Sequence, residues 1–89
     1  MTRPIKRSFA IRGHRTSISL EEPFWEAFRE IAADRRESLA TLVARIDSER
    51  PVGTGLSTAV RLFVLAALRA RAALDTPAGG PTKLNTDKD

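Results

Sequence analysis

Residues 13–25, GHRTSISLEEPFW, contain the pattern that predicts the architecture of this chain. Polar and apolar side chains alternate through the middle of this stretch, which is the pattern of a β-strand with one buried face. Ile18 and Leu20 point to the apolar side of a strand that we predict over residues 14–20. The side chains on its polar side are Arg15, Ser17 and Ser19. Since the segments that follow are typical of helices, the sequence predicts a lone strand without a sheet partner in its own chain.

The segment before this strand is basic and contains no acidic residue, whereas residues 16–50 hold five basic and eight acidic residues. A basic segment beside an acidic body suits a polyanion that meets only one face of the protein. A disordered solubilising tail is the alternative on charge alone. We interpret residues 1–13 as a basic N-terminal arm. Its basic residues are Arg3, Lys6, Arg7 and Arg12.

Gly13 separates the arm from the strand. Before it, the apolar residues Phe9 and Ile11 fall on odd positions, whereas Ile18 and Leu20 fall on even positions after it. A bulge or a bend at Gly13 accounts for this shift. Two interpretations remain open: either the strand extends back to Phe9, or Gly13 turns the basic arm away from it.

Three helices are predicted after the strand. The first, at about 22–35, has a proline in its first turn and apolar residues at helical spacing. The second, at about 38–49, begins with Ser38 as its N-cap. The third, at about 57–73, is apolar on more than one side, which predicts burial on both flanks. Residues 74–89 are polar and rich in Pro and Gly, so we interpret them as a disordered tail.

The composition excludes several classes of function. The chain has no cysteine, which excludes disulfides and thiolate metal sites, and no metal or cofactor is predicted. His14 is the only histidine, and no catalytic motif accompanies it, so we do not expect an enzyme. The N-terminus lacks the apolar segment of a secretory signal, and the longest apolar run, residues 62–68, is far too short to span a membrane. A cytoplasmic, nucleoid-associated protein is expected.

A second copy of the chain can supply the missing strand partner. Two identical strands paired antiparallel form a ribbon on a two-fold axis, with its apolar side on the helices and its polar side outward. Such a ribbon fits the major groove of DNA, where Arg can form two hydrogen bonds to guanine and Ser can donate or accept. The predicted fold is therefore mostly α with one short β-strand, arranged as an intertwined homodimer. Its predicted core residues are Ile18, Leu20, Phe24, Phe28, Leu42 and Ile46.

The same residues resemble a known family. The segment RTSISLEEPFWEAFREIAADRRESLATLVARI, residues 15–46, is similar to a ribbon-helix-helix domain of the Arc/MetJ type. Over residues 6–68 the chain looks like a bacterial subgroup of that family. The resemblance implies a dimeric, DNA-binding transcriptional regulator in which alternate strand residues read bases. The positions that match the reading residues are Arg15, Ser17 and Ser19.

The resemblance also implies contacts to the DNA backbone. In the family, the N-terminal amides of the second helix anchor a phosphate. The matching positions here are Ser38 and Leu39. We expect Arg35 and Arg36 to flank that phosphate, and the basic residues of the arm to add affinity that does not depend on base sequence.

The chain departs from the family in two places. Residues 35–37 read Arg-Arg-Glu where the family commonly has a glycine. The minimal fold also ends after two helices, so the helix at 57–73 either completes the dimer core or joins two dimers into a tetramer. This helix supports an alternative function, in which the protein is an antitoxin-like or adaptor dimer that binds a partner protein through the third helix.

Overall fold

The structure, a computed structural model, describes residues 3–75 of the 89-residue chain. Two strands precede three helices in chain order. The strands are β1, Ile5–Ile11, and β2, His14–Leu20. The helices are α1, Glu22–Arg35, α2, Leu39–Glu49, and α3, Leu56–Asp75. The predicted tail at 74–89 lies outside the described residues apart from the last two residues of α3.

The expectation of a lone strand is wrong. β1 and β2 pair antiparallel within one chain, and the register places Ile11 opposite His14 and Ile5 opposite Leu20. Most of the segment interpreted as a basic arm is therefore the first strand of a hairpin. Two residues, Arg12 and Gly13, form the turn, and both have positive φ angles, 53° and 81°. Two-residue hairpin turns require such angles, because they match the right-handed twist of the strands.

The same turn explains the change in apolar positions at Gly13. In this register an odd position of β1 always faces an even position of β2, as Phe9 faces Thr16 and Arg7 faces Ile18. Directly paired residues point to the same side of a sheet. The shift from odd to even positions therefore marks a tight turn, where the sequence suggested a bulge or a bend.

The helix ends have local chemical causes. Pro23 occupies the first turn of α1, where its missing N–H costs no hydrogen bond. Arg36 ends α1 in the left-handed conformation with φ 57°, and its N–H donates to the carbonyl of Ala33. The N–H of Glu37 donates to the carbonyl of Ala32, which completes the two-bond pattern that glycine usually allows. Arg36 thus adopts a conformation that glycine usually supplies at the end of a helix.

A hydrophobic core closes within the single chain. Trp25 of α1 is fully buried and lies under the hairpin, where its Nε1–H donates to the carbonyl of Ile5 at 2.9 Å. Its ring packs on Phe9, with 6.1 Å between the ring centroids. All six residues predicted for a dimer core contribute to this one, and all but the partly buried Phe24 are buried. They are Ile18, Leu20, Phe24, Phe28, Leu42 and Ile46. Their role in a dimer stays a prediction.

Helix α3 is buried on one side only. Val60 and Val64 are buried against the rest of the chain, and Arg71 pairs with Asp34 of α1. Leu62 and Leu65 point away from the core, and 57% and 48% of their surfaces are exposed. The expectation of burial on both flanks is therefore wrong for the single chain. Among residues 3–75, no helix combines the length and apolar character that crossing a membrane requires.

Candidate nucleic-acid interface

The hairpin has one face that looks away from the helices. We call it the outward face, and it consists of the side chains of Lys6, Ser8, Ala10, Arg15, Ser17 and Ser19. In the register, Lys6 lies opposite Ser19, Ser8 opposite Ser17 and Ala10 opposite Arg15. All six are exposed except Ser19, which is partly buried. The three residues predicted to read bases therefore share a surface with three residues of β1.

Two hydroxyl groups meet at the centre of the outward face. The Oγ atoms of Ser8 and Ser17 are 3.4 Å apart, and either can be the donor. A serine hydroxyl has one proton and two lone pairs, so a proton shared between the two serines leaves acceptor and donor capacity for a ligand. No carboxylate lies on this face, because the first acidic residue of the chain is Glu21. The face is therefore both neutral-to-basic and rich in short hydrogen-bonding groups.

The far edge of β2 is partly covered by α3. The N–H of Ser19 donates to Oγ of Ser57 at 3.0 Å, and Arg61 donates to the carbonyl of Ser19 at 3.3 Å. Main-chain groups alternate between the two edges of a strand, so those of Arg15 and Ser17 face the same edge as Ser19. Within residues 3–75, no hydrogen bond joins the main chain of Arg15 or Ser17 on this edge to another element. An open strand edge remains beside the turn.

Arg61 also fixes the start of α1. Its Nε and its terminal nitrogen donate to the two carboxylate oxygens of Glu21, at 3.1 and 3.2 Å. These hydrogen bonds lower the pKa of Glu21 below its ordinary value. The carboxylate is therefore protonated only at a lower pH than an ordinary glutamate. These contacts were not predicted, because Ser57 and Arg61 lie about forty positions from their partners in the sequence and belong to no local pattern.

The basic residues predicted to contact phosphates occupy different surroundings. The guanidinium of Arg7 lies on the helix side of β1, 5.3 Å from the ring centroid of Trp25. Arg12, in the turn, donates to the carbonyl of Ala44 at 3.3 Å and lies 3.7 Å from Asp47. Arg35 lies over the ring of Phe63, at 5.0 Å.

The other predicted basic phosphate ligands are Arg3, Lys6 and Arg36, which are exposed, as Arg7, Arg12 and Arg35 also are. Lys6 shares the outward face with the predicted base readers. Of these basic residues, only Lys6 shares a sheet face with Arg15, Ser17 and Ser19 in the described chain.

The N-terminus of α2 has a well-formed cap. Oγ of Ser38 accepts a hydrogen bond from the N–H of Thr41 at 3.0 Å and donates to Oγ1 of Thr41 at 2.8 Å. The first amides of this helix, beginning at Leu39, have no intrahelical acceptor, as at every helix start. Glu37, just before the cap, is paired with Arg45 at 2.6 Å, and this pairing raises the pKa of Arg45. A phosphate approaching these amides thus meets a carboxylate whose charge is already offset.

The comparison with protein families agrees with this arrangement of a β-ribbon followed by helices. A family model described as a ribbon-helix-helix domain matches residues 4–68, which is well over half of the chain. The chain belongs to the ribbon-helix-helix family. Its members are in general DNA-binding regulators, not enzymes, and they typically bind DNA as dimers. Searches of curated proteins and of solved structures gave no match.

For a ribbon-helix-helix protein, the outward face contains residues that the sequence did not single out. Ser8 was not predicted as a site residue, and Lys6 was predicted as a phosphate contact of a basic arm, without a place on a strand. A signal for both existed in the alternation of Ile5, Phe9 and Ile11 with polar residues. The basic residues of the segment instead led to its interpretation as an arm. Residues 3–75 contain no cluster of His, Cys, Asp or Glu that could hold a metal ion.

Proposed function

We propose that this chain is a sequence-specific DNA-binding transcriptional regulator that inserts the outward face of its β-ribbon into the major groove. One observation carries the proposal: Arg15, Ser17 and Ser19 lie side by side on an exposed ribbon face that contains no acidic residue. Membership of the ribbon-helix-helix family supports it, since that family is in general DNA-binding.

The chemistry of the face suits the edges of base pairs. The major groove admits a two-stranded ribbon and presents a different set of donors and acceptors for each base pair. Arg15 supplies a planar guanidinium, which can donate two parallel hydrogen bonds to O6 and N7 of guanine. Ser17 and Ser19 are short, so the strand can approach the bases closely, and their hydroxyls can donate or accept. In this proposal these three residues read bases.

Contacts to phosphates position the ribbon. Ser38 and Leu39 begin α2, where free amides and the helix dipole favour an anion. Arg3 and Arg36 are exposed and are proposed to add charge near the DNA backbone. Arg7, Arg12 and Arg35 are assigned to the fold, because each is engaged by an aromatic ring or a carboxylate of its own chain.

A homodimer is proposed, in keeping with the family. The free main-chain groups of Arg15 and Ser17 can pair antiparallel with the same groups of a second chain, while α3 still caps Ser19. The two hairpins then form one continuous sheet, and their outward faces lie on the same side. Because the core closes in one chain, this dimer needs no exchange of helices. Each copy would present the same reading residues to one half of a two-fold-symmetric DNA site.

A second function is favoured by one observation on α3. Leu62 and Leu65 are exposed on the same side of this helix, and clustered apolar residues on a surface mark contacts with other proteins. Through this face the protein would bind a partner as an adaptor or antitoxin-like dimer, or two dimers would form a tetramer.

Binding of labelled duplex DNA at increasing salt concentration tests the leading proposal. For a DNA-binding regulator, the logarithm of the binding constant should fall linearly with the logarithm of the salt concentration. The slope should be about −0.9 for each phosphate neutralised. Leu62→Gln in the same assay separates the two functions. If DNA binding is the function, this variant should retain the affinity and slope of the parent. Absence of binding at low salt would remove the DNA proposal and favour the partner-protein one.

A further inference from the structure

We propose that β1 is the second strand of the DNA-reading surface, with Ser8 setting base preference together with Ser17 and Lys6 contacting the DNA beside Ser19. The inference rests on the proposed function and extends it to residues of β1. A basic arm without fixed structure would contact DNA through charge alone. In a strand, only the residues on the outward face can contact the DNA that this face meets.

The register provides the first argument. Ser8 and Ser17 are directly opposed, as are Lys6 and Ser19, and directly opposed residues of an antiparallel pair have Cβ atoms about 4.5–5.5 Å apart. This separation is comparable to the step between neighbouring base pairs, about 3.4 Å along the helix axis. A ribbon that brings Ser17 to a base edge must therefore bring Ser8 within one or two base pairs of the same position.

The contact between the two serines provides the second argument. With 3.4 Å between the Oγ atoms, one hydroxyl can donate to the other, and the donor then offers DNA its lone pairs while the acceptor keeps its proton. Ser8 thus influences whether Ser17 meets the base as a donor or as an acceptor. Ser8→Ala removes that influence and leaves Ser17 free to rotate. The expected effect is a change in which base is preferred.

The adjacent residues Lys6 and Arg7 of β1 provide a third argument. Lys6 and Arg7 carry the same charge on adjacent positions, but successive side chains of a strand point to opposite faces. Both residues are exposed, but Lys6 lies on the outward face, whereas the guanidinium of Arg7 lies on the helix side, 5.3 Å from the ring centroid of Trp25. A charged arm without fixed structure would make the two residues equivalent. A structured reading strand makes only Lys6 a DNA contact.

The test uses the full chain and four single variants: Lys6→Gln, Arg7→Gln, Ser8→Ala and Ser17→Ala. A duplex is first selected from a random library with the parent protein. Binding to that duplex, and to duplexes with each base pair changed in turn, is then measured at several salt concentrations. Circular dichroism verifies that each variant is folded.

The inference predicts a different result for each neighbour. If Lys6 contacts a phosphate, Lys6→Gln should reduce the magnitude of the salt slope by about 0.9. If Lys6 contacts a base, the variant should lose about tenfold of the preference for that base. Arg7→Gln should leave the slope and the base preferences unchanged. Ser8→Ala should alter preference at the same base pair as Ser17→Ala, by about tenfold, the equivalent of one hydrogen bond.

The outcomes separate this inference from the function on which it rests. If the parent selects no duplex, the proposed function fails, and the inference with it. If the parent selects a motif but Lys6→Gln and Arg7→Gln weaken binding equally, β1 acts as a charged arm and the inference alone is overturned. The same holds if Ser8→Ala preserves the full pattern of base preference while Ser17→Ala changes it.

Discussion

The guanidinium of Arg61 in α3 is held by both carboxylate oxygens of Glu21, the residue between β2 and α1. Arg61 also donates to the carbonyl of Ser19 at 3.3 Å. One side chain thereby connects the third helix, the edge of the ribbon and the start of the first helix. The third helix, which the minimal ribbon-helix-helix fold lacks, is thus fastened to the strand that carries the proposed reading residues.

The ion pair between Arg61 and Glu21 predicts a pH dependence of stability. The pKa of Glu21 is lowered in the folded chain, so its contribution is fully present above the ordinary pKa near 4.5 and is lost as the pH falls through the lowered value. Glu21→Gln should therefore reduce stability at pH 7 and flatten the acid side of the stability profile. The measurement is urea denaturation followed by circular dichroism between pH 2 and pH 7. Glu30→Gln is the control, because Glu30 forms no ion pair within residues 3–75. Identical profiles for the two variants would contradict the role of this pair.

The positive φ of Gly13 leads to a second prediction about the stability of the fold. Its φ of 81° lies in the left-handed region, and a Cβ placed there meets no atom within 4 Å. Gly13→Ala therefore tests backbone strain without a steric clash, and it should cost about 1–2 kcal/mol. Gly55→Ala is the matched control, because that glycine also has open space around it and no positive φ. Urea denaturation monitored by the fluorescence of the single tryptophan measures both. Equal stabilities of the two variants would argue against the hairpin turn.

The contact of Trp25 with Ile5 attaches β1 to α1, and this attachment can be tested by mutation. The Nε1–H of Trp25 is the donor to the carbonyl of Ile5, so Trp25→Phe retains an aromatic ring while leaving a main-chain acceptor unpaired. The expected cost is about 1–3 kcal/mol, and the loss should be greatest in β1. Hydrogen exchange of the main-chain amides gives the local stability of each element. Faster exchange confined to β1 and its turn is the expected result. Uniformly faster exchange in α2 and α3 would mean that Trp25 supports the whole core and has no particular role in the hairpin.

Arg15 predicts an effect on DNA recognition alone. It is exposed on the outward face, so Arg15→Ala should leave the fold intact and cost about 1–3 kcal/mol of discrimination at one base pair. Competition between the selected duplex and singly changed duplexes measures this loss. Arg29→Ala is the control, since it removes the same charge from α1, where Arg29 pairs with Glu22. If both variants weaken all duplexes to the same degree, Arg15 contributes charge and does not read a base.

The sequence predicted the elements whose signals are local. The alternation of residues 14–20, the proline at the start of α1 and the serine cap of α2 each act within one turn or strand, so a short window contains the whole cause. The family was likewise evident from residues 15–46. The order of a ribbon followed by helices is what the structure has.

The hairpin was not predicted, because its turn lacks the usual residues. Asn-Gly or Asp-Gly would have indicated a tight turn, whereas arginine, the residue type at position 12, rarely adopts a positive φ. In the structure Arg12 contacts Ala44 and Asp47 of α2, and such tertiary contacts are invisible to a local pattern. Arg36, which follows α1, is a second arginine with a positive φ.

The position of α3 was also beyond the sequence. Its apolar residues show that it packs, but they do not say against which element. The contacts of Ser57 and Arg61 with Ser19 join residues 38 and 42 positions apart. For the candidate site, the sequence therefore identified the residues of β2 but missed Ser8 on the strand beside it.

Selection of bound duplexes from a random library tests the claim that paired copies of this chain read DNA bases with the outward face of the ribbon. The parent protein should enrich a two-fold-symmetric motif whose half-sites are recognised identically. Arg15→Ala should lose the enrichment at one position in each half-site. Salt-sensitive binding that enriches no motif would contradict the claim, because the protein would then bind DNA through charge alone.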